Sequence, residues 1–378
     1  MRILQTPPRY PPAVGGVENA VAGLTRGLVG LGHEVAVLCA NEPVSAKEEV
    51  LEGVRVRRLP YVGKVANTNV TPGLPIAILR EEFDLLHTHL PTPWSADWSA
   101  IAAAAKRKPL VLTYYNDIVG EGPFEGIARL YNRTGLRLLL RLAKKITVIQ
   151  PEYQNSPHLR GLEEKVEVIP VGVDLARFRP EGAASDGRTL FFLSLLDRHH
   201  RYKGLEDLLS ALVAVKEEVG DVKLLVGGGG ELLDHYRRAS ARLGLEEAVQ
   251  FLGFVPEEMV AKYYNRCDIF ILPSTSRAQE GFGMVALEAM ACGRPVICTG
   301  IVGVAEEVER VGAGLVVEAG KPEVLAEAIA RLLQSGPEAQ RMGAAGRRLV
   351  EERYGWRKVA ERFEGLYEDL VGEGPPDR

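Results

Sequence analysis

Short apolar runs alternate with longer amphipathic ones from one end of this chain to the other, and that alternation leaves few architectures open. Short runs bounded by glycine, proline or charge fit strands buried on both faces. The amphipathic stretches between them fit crossover helices, the pattern of βα units in parallel sheets. Strands are expected at 2–5, 34–39, 54–59, 85–88, 110–114, 145–149 and 166–169 in the first half. In the second half they are expected at 189–194, 223–226, 249–252, 269–272, 296–298 and 314–317. Each half then makes a doubly wound, Rossmann-like sheet of about six strands. A chain of 378 residues is too long for one ordinary core and suits two α/β domains. The stretch 171–187, rich in Gly, Pro, Arg and Asp, is the expected join, giving domains 1–175 and 176–355. After the break at Tyr354-Gly355-Trp356, a last amphipathic segment, 356–372, is expected to return to the first domain. In open α/β sheets ligands bind outside the carboxyl ends of the strands. Two such domains facing a cleft would therefore put the chemistry there.

Composition narrows the class without naming it. An apolar fraction of 46% and a charged fraction of 25% are those of a soluble globular chain and argue against disorder. The net charge of −4 conceals an asymmetry, with 22 Lys+Arg against 18 Asp+Glu in residues 1–180 and 24 against 32 in the rest. A basic first half hints at an acidic partner, either a phosphorylated acceptor or a membrane surface. In 126–146, Arg129, Arg133, Arg137, Arg141 and Lys145 recur every four positions beside Ile127, Leu130, Leu138 and Leu142. Such a basic amphipathic helix suits either an anionic membrane surface or the solvated face of a core-packed helix. The start runs into prolines after one short strand, so no signal-peptide apolar region is read. No apolar run approaches the ~20 residues of a membrane span. A cytoplasmic protein is expected, peripheral at the inner face of the membrane if 126–146 docks there, with no nucleic-acid partner. Cys39, Cys267, Cys292 and Cys298 lack metal or redox spacing and are read as buried and reduced.

Most of the functional signal lies in 280–295, where Glu280 and Glu288 flank a helix start carrying Gly281, Phe282, Gly283 and Met284. First-turn amides of a helix are unpaired and sit at the positive end of its dipole, so this is a ready phosphate site. One carboxylate is free to bind sugar hydroxyls and the other a ribose. The loop from Asp197 to Gly204 holds Arg198, Arg201, Lys203 and two histidines, a crowd of cations that a diphosphate would neutralise. Gly15-Gly16 stands between the first strand and the first helix, where backbone amides stay open to a ligand. The four glycines 227–230 lack the Lys-Ser/Thr of a P-loop and precede Glu231, so they are read as a tight turn. His87 and His89 end a strand; the pair is read as splitting across the strand, one ring to each face, with His89 toward the ligand. Tyr114, Asn116 and Asp117 follow the next strand and are candidates for acceptor binding.

Together these residues resemble the retaining glycosyltransferases of family 4, with the two-Rossmann-domain GT-B fold. The likeness covers nearly the whole chain: Gly15-Gly16, His89, Lys203-Gly204, the 280–295 block, Gly303 and the returning helix. The resemblance implies transfer of a hexose from a UDP- or GDP-sugar to a hydroxyl acceptor such as a glycolipid or polysaccharide precursor. It implies retention at the anomeric carbon and no bound metal or other cofactor. In it Glu288 binds the ribose, Glu280 the donor sugar, Lys203 the diphosphate, and His89 the donor sugar near the transition state. The amides of Phe282, Gly283, Met284, Gly15 and Gly16 serve sugar and phosphate. One departure stands out: Ser194-Leu195 occupies the place of the family's Gly-Arg, so Arg198 or Arg201 is expected to supply the missing cation. A nicotinamide-dependent oxidoreductase would need GxGxxG and an acid ending the second strand, where this chain has Cys39-Ala40-Asn41. A non-catalytic sugar-nucleotide-binding module would have no need of Glu280, Glu288 and Lys203 together.

Overall fold

A computed structural model of the chain describes residues 1–65, 68–115, 118, 125–182, 186–277 and 279–372. The chain divides into two compact units, Met1–Gly172 with Trp356–Arg378, and Val173–Gly355.

Unit 1 is built on β1 (Arg2–Thr6), α1 (Gly16–Gly30), β2 (Glu34–Ala40), β3 (Glu48–Leu51), β4 (Val54–Leu59), β5 (Gly63–Val65), β6 (Thr68–Val70), α2 (Leu74–Arg80), β7 (Leu85–Leu90), α3 (Pro93–Lys106), β8 (Leu110–Tyr114), α4 (Glu125–Arg133), α5 (Gly135–Leu142), β9 (Lys145–Val148) and β10 (Val166–Val168). Eight strands form one sheet in the order β10-β9-β8-β7-β1-β2-β4-β3. All neighbours run parallel except β3, which pairs antiparallel with β4 at the edge. Edge strand β3 and the small β5–β6 hairpin were not expected; both are short and carry charged or polar residues, so neither shows a buried-strand pattern. The connections reverse direction between β1 and β7, and in such sheets that reversal opens a binding crevice at the strands' carboxyl ends.

Unit 2 runs β11 (Thr189–Leu193), α6 (Leu205–Val219), β12 (Lys223–Gly227), α7 (Leu233–Arg242), β13 (Val249–Gly253), α8 (Glu257–Arg266), β14 (Ile269–Leu272), α9 (Met284–Ala291), β15 (Val296–Thr299), α10 (Ala305–Val311), β16 (Gly314–Val317), α11 (Pro322–Gln334) and α12 (Gly336–Arg353). Its six parallel strands lie in the order β13-β12-β11-β14-β15-β16, with the reversal between β11 and β14. Strands such as β14 and β15 are buried along their whole length, which is why they read as unbroken apolar runs.

The last helix, α13 (Trp356–Gly372), belongs to unit 1. Its Val359, Phe363, Leu366 and Tyr367 are buried in the same core as Val21, Leu24 and Leu28 of α1. Close approach depends on two small residues one turn apart on α1. A Cβ on Gly23 would lie 1.9 Å from the Trp356 ring, and one on Gly27 would lie 2.7 Å from Ala360 Cβ. The expected single helix over 126–146 is instead two, α4 and α5, parted at Thr134, with Lys145 already in β9. Leu136, Leu139 and Leu140 face the core, while Ile127, Leu130 and Leu138 are more than half exposed. No helix among the described residues is long and apolar enough to cross a membrane. The four cysteines are buried and unpaired, and burial pushes the Cys39, Cys292 and Cys298 thiols up to about 12.

Candidate active site

In unit 2 the loops after β11 and β14 meet at the reversal point. Asp197 accepts hydrogen bonds from the His200 amide (2.9 Å) and His200 Nδ1 (2.7 Å), winding Arg198–Lys203 into a 3-10 turn. Gly204 then turns the chain into α6 with φ 79°, and a Cβ there would lie 2.0 Å from the Pro273 carbonyl oxygen. Only glycine fits both demands. The Thr275 amide donates to the Tyr202 carbonyl at 2.7 Å and stitches the two loops together.

That stitching sets Lys203 on Glu280. The ammonium donates to both carboxylate oxygens at 2.9 Å, and Ser274 Oγ adds a short third bond to the same carboxylate. The Glu280 side chain is 2% exposed and the Lys203 side chain 16%, so each charge depends on the other for compensation. Ser274 is itself held through its carbonyl, which accepts from Thr299 Oγ1 at 2.7 Å. Helix α9 starts three residues beyond Gly281, after Gly283 in the left-handed region at φ 86°. The amides of Phe282, Gly283 and Met284 donate to no partner among the described residues. Phe282 is buried against Tyr354, their rings 5.6 Å apart, which steadies the turn.

Glu288 lies one helical turn into α9. Its Oε2 accepts from the buried Tyr264 hydroxyl at 2.8 Å. Burial pushes its carboxyl up from 4.5 to about 7, against the opposing pull of the Tyr264 hydrogen bond and of Arg177. The expected replacement of the family arginine is not seen at Arg198, whose guanidinium is 81% exposed and pairs with Glu231 at 3.2 Å. Arg201 is likewise engaged by Glu206 at 2.8 Å. Both turn outward because carboxylates at the starts of neighbouring helical segments offer them partners.

In unit 1 the reversal point lies between β1 and β7. The Gly15-Gly16 loop opens α1, and Gly16 has no atom within 4 Å of where a Cβ would stand. At Gly15 the buried Glu18 carboxylate folds back over the backbone, 2.2 Å from the position of a Cβ, and accepts from Arg9 Nε at 2.8 Å. His89 is fully buried, its Nε2 2.8 Å from Gln5 Oε1 and its Nδ1 without a hydrogen-bonding partner among the described residues. Burial pulls its imidazole down to about 3, so it is neutral. The expected split of the histidines across the strand is wrong. Side chains two apart share a face, and the two rings lie 4.4 Å apart. Tyr114 is also corrected: it is fully buried in the core with Leu86 and Leu112, and Tyr115 on the opposite face is the tyrosine beside His89, at 6.0 Å. Asn116 and Asp117 lie outside the described residues. No cluster of three or more His, Cys, Asp or Glu able to hold a metal occurs among the described residues.

Residues 14–177 match the family described as Glycosyltransferase Family 4, and residues 177–349 match Glycosyl transferases group 1. The phosphatidyl-myo-inositol mannosyltransferase of Mycobacterium leprae is 30% identical over 372 residues, covering 95% of this chain and 94% of its own. This chain is a family 4 glycosyltransferase. The GDP-mannose-dependent alpha-(1-6)-phosphatidylinositol monomannoside mannosyltransferase of Mycobacterium tuberculosis is 33% identical over 214 residues, 54% of this chain and 56% of that one. Among solved structures, a glycosyltransferase of Rickettsia africae superposes with a TM-score of 0.77 at 20% identity, covering 98% of each chain. Anabaena HepE in complex with UDP-glucose gives 0.74 at 21% identity, over 98% of this chain and 100% of that one. The two sheets are thus the Rossmann-like sheets of the GT-B fold. The residues missed in the sequence of this glycosyltransferase are Gln5, Glu18, Tyr115, Tyr264, Ser274 and Tyr367, and of these only Glu18 carried a local signal, as an acid in a first helical turn.

Proposed function

We propose that this glycosyltransferase moves a mannosyl group from GDP-mannose to a hydroxyl of an inositol phospholipid, with retention and without a bound metal. The acceptor class is the one named for a relative matched over 95% of this chain, and the donor is the one named for a relative matched over 54% of it. The observation that carries the reading is the Lys203–Glu280–Ser274 cluster beside the open amides of Phe282, Gly283 and Met284. Lys203 neutralises the diphosphate as it leaves, a contact of the kind worth about 3–4 kcal/mol in a transition state. Glu280 holds that lysine in place and accepts from the sugar hydroxyls. Glu288 accepts from the ribose, and His89 offers its bare ring nitrogen to a hydroxyl of the donor sugar. The exposed Ile127, Leu130 and Leu138, flanked by Arg133, Arg137 and Arg141, suit peripheral contact with anionic lipid at the inner membrane face.

The test is transfer or slow hydrolysis read by mass spectrometry, in EDTA, over GDP-, UDP- and ADP-hexoses with phosphatidylinositol vesicles, with Glu280→Ala as control. Release of GDP from GDP-mannose by the wild type alone is expected. Silence with every donor, together with no nucleotide binding by calorimetry, would overturn the reading.

A further inference from the structure

The buried polar groups behind His89 form one connected chain, and its far end lies on the returning helix. Tyr367 Oη of α13 is 2.6 Å from His87 Nδ1, and His87 Nε2 is 2.7 Å from Thr113 Oγ1. Thr113 Oγ1 is in turn 2.7 Å from Thr147 Oγ1. Gln5 Nε2 reaches His87 Nδ1 at 3.2 Å and Tyr367 Oη at 3.5 Å, while its carbonyl oxygen faces His89 Nε2. Every side chain in this chain is almost entirely buried. With the Gln5 amide oxygen toward His89, the donors and acceptors close in one direction. A carbonyl oxygen only accepts, so the single proton of neutral His89 sits on Nε2. The Gln5 amide nitrogen only donates, so His87 Nδ1 is bare, takes the Tyr367 proton as well, and leaves Nε2–H to donate to Thr113. What remains unpaired is His89 Nδ1, a buried acceptor with no donor among the described residues.

We propose that Gln5 and Tyr367 are positioning residues that fix His89 as the Nε2–H tautomer and thereby present Nδ1 as a hydrogen-bond acceptor for a substrate hydroxyl. This rests on the proposed sugar transfer for its substrate, but the tautomer itself belongs to the free protein. The inference also gives the last helix a role beyond packing. Without Tyr367, the Gln5 amide is the one donor to His87 Nδ1 among the described residues, and that amide is then free to rotate and reverse the proton on His89. Burial keeps both rings neutral, desolvation first and then the neighbouring His89 pulling His87 well below its ordinary value. Among the described residues the titratable groups facing His89 are His87 and Tyr115, with Tyr367 behind His87 and Glu18 behind Tyr115.

The experiment is long-range proton–nitrogen correlation on the full chain labelled with 15N-histidine, His89 being assigned by its loss in His89→Gln. The expected spectrum of the unliganded wild type shows His89 neutral with Nε2 protonated from about pH 5 to 8. An Nδ1–H tautomer there would overturn the proposal, because the wiring would then run the other way. In Gln5→Glu a carboxylate faces both rings, His89 takes a second proton, and the blocked Nδ1 should lower kcat about 100-fold, with recovery at high pH that the wild type does not show. Tyr367→Phe should lower kcat about 10-fold with donor KM within about 2-fold, and its His89 signals should show a mixture of tautomers. Variants that lose only thermal stability, with wild-type tautomer, kcat and pH profile, would reduce Gln5 and Tyr367 to core packing and overturn the proposal. A wild type silent toward every sugar nucleotide would overturn the transfer reading instead, and the spectra would still decide the tautomer.

Discussion

The two units solve the same task, holding a polar group at the reversal point of a parallel sheet, with opposite chemistry. In unit 2 the polar group is a charge pair, Lys203 on Glu280, assembled from two neighbouring loops and braced by Ser274. In unit 1 it is a neutral ring, His89, braced by uncharged partners drawn from β1, β7, β8, β9 and α13. A charge pair tolerates its low-dielectric surroundings because each partner compensates the other. A neutral ring needs no compensation but must have its proton placed, and that takes a longer network. The difference teaches that the charged site is fragile to the loss of one atom, while the neutral site is fragile to the direction of its hydrogen bonds.

The comparison is broken most severely at Glu280. Glu280→Gln keeps the volume and removes the charge, leaving Lys203 with a weaker partner where it is largely shielded from water. Transfer should fall about 1000-fold, and urea unfolding should show a loss of about 3 kcal/mol. A Lys203→Met, Glu280→Gln double variant should recover part of that stability and none of the activity, as expected for coupled neighbours. Stability unchanged in Glu280→Gln would mean that the pair is not held as described.

Glycines sharpen the same contrast. Gly204→Ala sets a Cβ against the Pro273 carbonyl and forces a left-handed residue, so a loss of about 2–3 kcal/mol is expected by chemical denaturation. Gly16→Ala in unit 1 meets open space and should change stability by no more than about 0.5 kcal/mol. The surface of unit 1 gives a test between these two in size. Arg133→Gln with Arg137→Gln should weaken binding to anionic vesicles by about 2 kcal/mol, at about 1 kcal/mol per charge. Binding to neutral vesicles should not change.

What was legible in the sequence follows the same divide. The buried strands of both sheets announce themselves because parallel strands carry unbroken apolar runs, and β14 ahead of Glu280 is a plain case. Lys203, Glu280 and Glu288 are legible because charge beside glycine at a helix start is a local pattern. The bracing of His89 is not local. Tyr367 lies 280 residues from the histidine it holds and 362 from Gln5. No periodicity distinguishes it from the other residues with which α13 meets α1, and the same holds for Tyr264 on α8. Tyr114 lies in the core and Tyr115 beside His89 for a simpler reason: at the end of a buried strand adjacent residues face opposite sides, and only the course of the chain shows which side His89 takes.

Tyr264 sets the most discriminating test. Its hydroxyl is the group that holds the Glu288 carboxylate, so Tyr264→Phe removes one hydrogen bond to a charged acceptor, and nucleotide affinity should fall about 5-fold. The pH dependence tells this apart from a packing loss. Burial raises the Glu288 carboxyl from 4.5 to about 7. A carboxyl raised in the folded state contributes stability that is fully present below its unfolded value and is lost as pH rises through about 7. That contribution is at most about 3 kcal/mol and less in practice, because the side chain is only partly buried. Under the proposed function nucleotide binding has the opposite sign: an ionised carboxylate would accept from the ribose hydroxyls, so affinity should weaken up to about 10-fold per pH unit below 7. Losing the Tyr264 hydroxyl removes a stabiliser of the ionised form and should move that midpoint upward. Arg177, which pulls it down, and Glu257, which pushes it up, stay in place in the variant. Glu288→Gln should abolish both slopes. Calorimetric titration of the nucleotide from about pH 5.5 to 8.5 reads the whole set. An affinity in wild type that does not change with pH would separate Glu288 from the ribose and overturn that part of the proposed function.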